Sequence, residues 1–388
     1  MLCERDSEFS LPTRVIYGYN SAKNTGKCAE QMAATSVLVV TDSNIYKAGV
    51  LKSTIQSLKE ANRTVTVFDS VPIDPGTKTV EAGVEVLEAH SCEAVVIVGG
   101  GSPLCAGKGI ALVATNGGNI EDYEGTDRYK EAPLPVIAVP TTAGSGSEVS
   151  SAFNITNETK QYRMSIRGRR CYPEVAILDP VLLKTLPSRQ MIESGMDALT
   201  HAIEAICTDR ATPLTDAIAY EALKRMVQHL PRAAFSHELE AIGQQLLGST
   251  MANIACGNAK LGLVHAMSPS LAVYNMSHGL ANGILLPYVM EYNLPAGERR
   301  FARMASVLGV YEPSLSDADN AVNALDSIKD LLRKLEVPDR VSVDDSERVD
   351  VQEMVEAAME KSQIEFNIRR PSYNDIREIY EKAYDGWR

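Results

Sequence analysis

The chain has 388 residues, of which 45% are hydrophobic and 23% charged, and its formal net charge is −12. That length favours two domains over one, and the composition is that of a soluble globular protein without low-complexity segments. The acid excess argues against nucleic acid or an anionic membrane as the main partner, because both require a basic face.

No apolar run approaches the ~20 residues needed to cross a bilayer. The stretch Met1–Asp6 has no apolar core and does not read as a signal peptide. The cysteines (Cys3, Cys28, Cys92, Cys105, Cys171, Cys207 and Cys256) are odd in number, scattered and free of CxxC pairs. Reduced thiols in a cytoplasmic enzyme fit that pattern better than a disulfide frame.

In chain order, Arg14–Gly18 is a short β-branched run ending at glycine. Ser36–Thr41 is a continuous apolar strand of the kind buried on both faces of a parallel sheet. It ends at Asp42, and a helix is expected from about Ala48 to Ala61. Thr64–Phe68 reads as a strand, Asp74-Pro75 as a turn, and the segment from about Val80 to Ala89 as a helix. Ala94–Val98 is a strand running into Gly99-Gly100-Gly101-Ser102, and Val136–Val139 is another, entering the Thr141–Ser147 loop. Alternating strands and helices predict a doubly wound parallel sheet with its site at the carboxyl ends of the strands.

Three features at those strand ends carry chemistry. The Gly99–Gly101 turn opens a helix, so backbone N–H groups and the Ser102 hydroxyl could cradle a phosphate; the ordinary alternative is a tight turn. Thr141–Ser147 supplies small hydroxylated residues able to wrap a phosphate, ribose or amide, or else forms a plain surface loop. Asp42 is the usual type of group for a ribose diol, which favours NAD over NADP, and is equally suited to capping a helix. The basic group Arg167, Arg169 and Arg170 reads as a solvated turn.

After Val175–Leu178 the strand signals stop, and Pro187 and Ser188 begin a helical region. The boundary therefore falls near Pro187, giving an α/β part over residues 1–186 and a helical part over 187–388. Helices are expected at about Met191–Cys207, Leu214–His229, Leu239–Ala259, Asp317–Leu335 and Asp375–Tyr384. Small residues along Leu239–Leu263 suit a buried central helix.

Asp197 and His201 stand four apart, so a helix places them on one face. His265 and His278 follow downstream. One carboxylate with up to three imidazoles suits Fe(II) or Zn(II), whereas an ordinary reading makes the first two a surface pair. His90, His229 and His237 lie in polar surroundings or at a helix end and stay outside this set.

Five motifs in order then resemble the iron-containing (group III) alcohol dehydrogenase family over nearly the whole chain. They are Gly99–Pro103, Pro140–Gly144, Gly195–Ala202 with Glu204, Gly262–Met267, and His278–Asn282 running into Leu285-Leu286-Pro287. The resemblance implies an α/β Rossmann-like N-terminal domain and an all-α C-terminal domain, the fold shared with dehydroquinate synthase-like enzymes. It implies Asp197, His201, His265 and His278 as metal ligands. It also implies Asp42, Gly100, Gly101, Ser102, Thr141, Thr142, Ser145, Ser150, Arg163 and Leu182 as cofactor contacts. The reaction implied is hydride transfer between NAD and a small primary alcohol or aldehyde, in a homodimer or larger homo-oligomer. The chain departs from the family pattern in carrying Cys105 in place of an Asp and Arg163 in place of a Lys. It also lacks a histidine in Met267–Ser270, where Pro269 stands. Alternatives are a dehydroquinate-synthase-like NAD-using lyase, whose metal set pairs a Glu with two His, and a nucleotide-binding relative with reduced catalysis.

Overall fold

The computed structural model describes residues 6–343 and 350–387 of the chain. It divides into two compact units, Leu11–Leu186 and Pro187–Arg388, the latter including the segment that ends at Ser10.

The strands of the first unit are β1 (Arg14–Tyr17), β2 (Ser36–Val40), β3 (Thr64–Phe68), β4 (Ala94–Gly99), β5 (Gly125–Thr126), β6 (Val136–Pro140), β7 (Ala152–Asn157), β8 (Tyr162–Arg167) and β9 (Val175–Leu178). Its helices are α1 (Thr25–Gln31), α2 (Ser43–Lys47), α3 (Lys52–Glu60), α4 (Thr77–Ala89) and α5 (Gly101–Asn116). Six strands form one sheet in the order β1-β9-β6-β4-β2-β3, and every pair in it is parallel. The expected parallel α/β architecture is therefore present.

The continuous apolar strands have a direct explanation. Along β2 and β4, Leu38, Val40, Val95 and Ile97 enter one apolar layer, while Val37, Val39, Ala94, Val96 and Val98 enter the other. Successive side chains point to opposite faces, and both faces are covered, so no position can be polar. Each fully buried Val or Ile contributes ~1.5–3 kcal/mol, which fixes these two strands at the centre of the sheet. β3 lies on one side of β2 and β4 on the other, so the chain changes direction across the sheet there, the kind of switch point at whose carboxyl edge open α/β sheets bind ligands.

Two local expectations are corrected. The helix expected from Ala48 to Ala61 begins only at Lys52, as α3, after a turn in which Gly49 takes a φ of 72°, and the short α2 ahead of that turn was not expected. A separate three-stranded sheet, β5-β8-β7, was not expected: β5 precedes β6, and β7 and β8 occupy the stretch between Pro140 and Val175. Its β7 and β8 pair antiparallel, with Phe153, Ile155, Met164 and Ile166 turned into the core.

The second unit is helical: α6 (Ser188–Ile206), α7 (Pro213–Phe235), α8 (Leu239–Ala259), α9 (Leu263–Met267), α10 (His278–Leu308), α11 (Asp317–Lys334), α12 (Val351–Met359) and α13 (Tyr373–Asp385). α8 is buried along much of its length and packs on α6 and α7. α10 was not anticipated, because it carries Pro287 and Pro295 and its backbone leaves helical values at Gly297 (φ −128°, ψ 21°). It is two helices joined end to end. α12 was likewise missed. None of the described helices is long and apolar enough to cross a membrane.

Candidate metal centre

Within the second unit, α6 is buried continuously from Gly195 to Ile206. A carboxylate and an imidazole on such a helix cannot be a surface pair: the Asp197 and His201 side chains are 12% and 8% exposed. His265 belongs to the short α9, and His278 is the first residue of α10, where Ser277 accepts the Leu280 N–H. Gly279 brings that helix start against α6. A Cβ there would overlap the Glu193 carbonyl, so only glycine lets His278 come this close to Asp197.

The four side chains converge on one atom. Nε2 of His201, His265 and His278 lies 3.7, 3.6 and 3.6 Å, respectively, from Asp197 Oδ1. These separations are too long for hydrogen bonds. They are close to the ~3.4 Å between ligands held tetrahedrally at ~2.1 Å from a shared ion. Donor atoms of Asp197, His201 and His265 all lie within 4.8 Å of one another. His278 completes the group from its open side, with a side chain 42% exposed. The His201 and His265 rings stack at 4.7 Å, and His265 meets His278 edge-on at 5.2 Å.

Neighbouring polar groups brace the cluster. Asn282 Nδ2 donates to Asp197 Oδ1 at 2.9 Å and stands 3.3 Å from Nε2 of both His265 and His278. Glu204 Oε2 lies 2.6 Å from His265 Nδ1. His201 Nδ1 and Asn282 Oδ1 are buried and find no hydrogen-bond partner among the described residues.

Electrostatics follow from burial and charge. Burial pushes the Asp197 carboxyl up, but His201 and then His265 and His278 outweigh it and hold it well below the usual carboxylate range. Burial lowers His201 to about 4 despite Asp197 beside it. Burial also opposes charge on His265, yet Glu204 and Asp197 prevail and raise it to about 9. At physiological pH the Asp197 carboxylate is thus ionised and His201 neutral, while His265 holds a proton that a divalent cation would displace on binding.

In the first unit, Asp42, Gly100–Ser102, Thr141–Ser145 and Leu182 follow the carboxyl ends of β2, β4, β6 and β9, while Ser150 precedes β7 and Arg163 lies in β8. Gly100 caps α5, whose first turn contains Gly101 and Ser102. The Thr141 N–H donates to the Gly99 carbonyl at 3.1 Å, which ties the Thr141–Ser145 loop to that helix start. Ser102 Oγ accepts the Asp74 N–H at 3.2 Å, and Asp74 pairs with the exposed Arg163 at 3.4 Å. Asp42 caps α2 by accepting the N–H groups of Asn44 and Ile45 at 2.9 and 3.0 Å. Both bonds use Oδ1. Leu182 lies in the 3-10 turn after β9 and packs on an apolar layer of the sheet.

Ser150 is held by a residue that the sequence reading missed. Lys108, only 2% exposed, donates from Nζ to the Ser150 carbonyl at 2.7 Å, Ser147 Oγ at 2.9 Å and the Ala152 carbonyl at 3.4 Å. A lysine among Ala106, Gly107, Gly109, Ile110 and Ala111 was the available signal, because a lone charge on a buried helix needs acceptors. Glu204 and Asn282 stood in the quoted motifs without an assigned role.

The remaining histidines have partners elsewhere: Val86 for His90, Arg232 for His229 and Ser188 for His237. Arg167, Arg169 and Arg170 are exposed, and Arg170 lies over the Tyr129 ring. Pro269 is exposed at the start of the 3-10 turn Ser268–Tyr274. Six cysteines, Cys105 among them, are free thiols, and Cys3 lies outside the described residues.

Comparison with known proteins bears on both units. The family model "Iron-containing alcohol dehydrogenase" matches residues 12–180. "Fe-containing alcohol dehydrogenase family, C-terminal" matches residues 191–384. The chain is 34% identical to the NAD-dependent methanol dehydrogenase of Bacillus methanolicus, over 97% of this chain and 100% of the relative. It is 35% identical to the 1,3-propanediol dehydrogenase of Citrobacter freundii, over 97% and 98%. A solved 1,3-propanediol oxidoreductase superposes with a TM-score of 0.94 at 34% identity, over 98% of this chain and 100% of that one.

Proposed function

The chain belongs to the iron-containing alcohol dehydrogenase family, and on that ground we propose a metal-dependent, NAD-linked oxidoreductase acting on a small primary alcohol or its aldehyde. The observation that carries this reading is the convergence of three imidazole nitrogens on Asp197 Oδ1. Asp197, His201, His265 and His278 would hold the ion. Fe(II) suits one carboxylate with three imidazoles, and Zn(II) is the second choice. A divalent ion there supplies a Lewis acid for the substrate oxygen.

The chain's own residues do the rest. Asp197 contributes the single negative charge of the ligand set, so the site keeps net positive charge. Asn282 fixes that carboxylate by donating to it. The family reaction moves a hydride between the substrate carbon and a nicotinamide. NAD is favoured by the name of the methanol dehydrogenase relative and by Asp42, whose carboxylate suits a ribose diol. Residues 1–186 would bind the dinucleotide, with the N–H groups of Gly100, Gly101 and Ser102 at the pyrophosphate. Thr141, Thr142, Ser145, Ser150, Arg163 and Leu182 would line the remainder. Residues 187–388 would form the metal-binding domain.

We further infer a cytoplasmic homodimer or larger homo-oligomer; the six free thiols support a reducing compartment. The test combines elemental analysis of protein purified without added metal and NADH oxidation with a panel of short aldehydes. Absence of both bound metal and turnover would refute the proposal.

A further inference from the structure

We propose that Glu204 is a positioning residue of the metal centre, fixing the ring proton of His265 on Nδ1 so that Nε2 presents its lone pair beside Asp197. The inference rests on the metal reading of that cluster. Glu204 follows His201 on α6 and is 3% exposed. Its Oε2 lies 2.6 Å from His265 Nδ1, while Oε1 accepts the Val264 N–H at 2.6 Å and the His265 N–H at 3.4 Å. A carboxylate can only accept, so the imidazole must donate through Nδ1. The chain path is shaped to the same contact: a Cβ at Gly262 would stand 3.2 Å from Glu204 Oε1.

Only a carboxylate serves both sides of this arrangement. A glutamine of the same shape has one acceptor oxygen, so its NH2 group must face either the Val264 N–H or His265 Nδ1. Facing Val264, it sets donor against donor. Facing Nδ1, it donates and drives the ring proton to Nε2, the atom that should carry the free lone pair. Either way the ligand is compromised without any change of volume. Losing the outer partner of a metal-bound histidine generally weakens metal binding ~10–100-fold. His201, whose Nδ1 has no partner among the described residues, has no such brace.

The test uses Glu204→Gln and the wild-type protein, both metal-free. Each is titrated with Zn(II) against a competing chelator, and their thermal midpoints are compared. Ring-nitrogen NMR of metal-free wild type is recorded at a pH high enough to keep imidazoles neutral, with His265 assigned through a His265→Ala variant. We expect a Zn(II) dissociation constant ~10–100-fold higher in Glu204→Gln, and an Nδ1–H tautomer in the wild type. An unchanged dissociation constant overturns the proposal even if the midpoint falls, because Glu204 is then only structural. An Nε2–H tautomer in the wild type overturns it as well. If wild-type protein takes up no Zn(II), the metal reading fails, and the tautomer still decides the role of Glu204. It also decides if the glutamine variant does not fold.

Discussion

Replacing Lys108 with Met should change how stability depends on pH. The ammonium is 2% exposed and spends its protons on Ser147, Ser150 and Ala152. Burial, opposed by Cys105 and Glu148, lowers its pKa from 10.5 to about 8. That lowering corresponds to about 3 kcal/mol. Below about 8 the group is charged in both folded and unfolded chains, and the folded state carries the whole penalty. Between about 8 and 10.5 the unfolded chain holds more protons, so the contribution of Lys108 to stability rises with pH. The Lys108→Met chain has no proton to exchange there. The difference in unfolding free energy, wild type minus variant, should therefore grow by about 3 kcal/mol across that window. At neutral pH the variant escapes the penalty but leaves the Ser150 and Ala152 carbonyls without their donor, at ~1–3 kcal/mol each. The two effects largely offset. Denaturant unfolding of both proteins in matched buffers from neutral to alkaline pH measures the difference. A difference that stays flat across the window would refute the reasoning.

Within the metal centre, His265→Ala or His278→Ala should lose metal and most activity while far-UV circular dichroism stays near wild type. Full metal occupancy in both variants would show the ligand assignment to be wrong. Asp42→Gly should relax discrimination against NADP and, through the lost side-chain cap on α2, destabilise the first unit by only about a few tenths of a kcal/mol. An unchanged NAD/NADP ratio of kcat/KM would reject the ribose role and leave only the cap. Gly279→Ala should push the start of α10 away from Glu193, costing ~1–3 kcal/mol in overpacking and lowering metal content. Metal occupancy equal to wild type, measured by elemental analysis, would show that His278 does not depend on that close approach.

Most of what the sequence disclosed came from patterns with one physical cause. Val37–Val40 and Ala94–Val98 had to be apolar throughout, because alternate side chains feed two different layers. They could be read as central parallel strands without knowing their neighbours. The spacing of Asp197 and His201 was legible for the same reason, since one helical turn fixes which side chains meet. β7 and β8 were missed although Phe153, Ile155, Met164 and Ile166 alternate with exposed or half-buried neighbours. Their signal was masked by the polar Asn154, Thr156 and Ser165 and by flanking turns that read as loop. α10 was missed because Pro287, Pro295 and Gly297 argue locally for a break; the backbone does break at Gly297, but with Leu285 and Leu286 buried the helix runs on through both prolines. Tertiary packing overrode local preference there. The roles of Lys108 and Glu204 depend on acceptors and donors supplied by segments remote in sequence, which spacing cannot disclose.

The unequal exposure of the four candidate ligands bears on the order of events as well as on affinity. Asp197, His201 and His265 are embedded in the helical core, while the His278 side chain is 42% exposed at the first residue of its helix. A helix start frays sooner than a buried interior. His278 should therefore be the last donor to engage an incoming ion and the first to let it go, acting as the latch on a socket otherwise built in advance. Stopped-flow removal of Zn(II) by excess chelator should then be much faster in His278→Gln, with the rate of uptake nearly unchanged. Equal slowing of uptake would mean that the socket is not preformed.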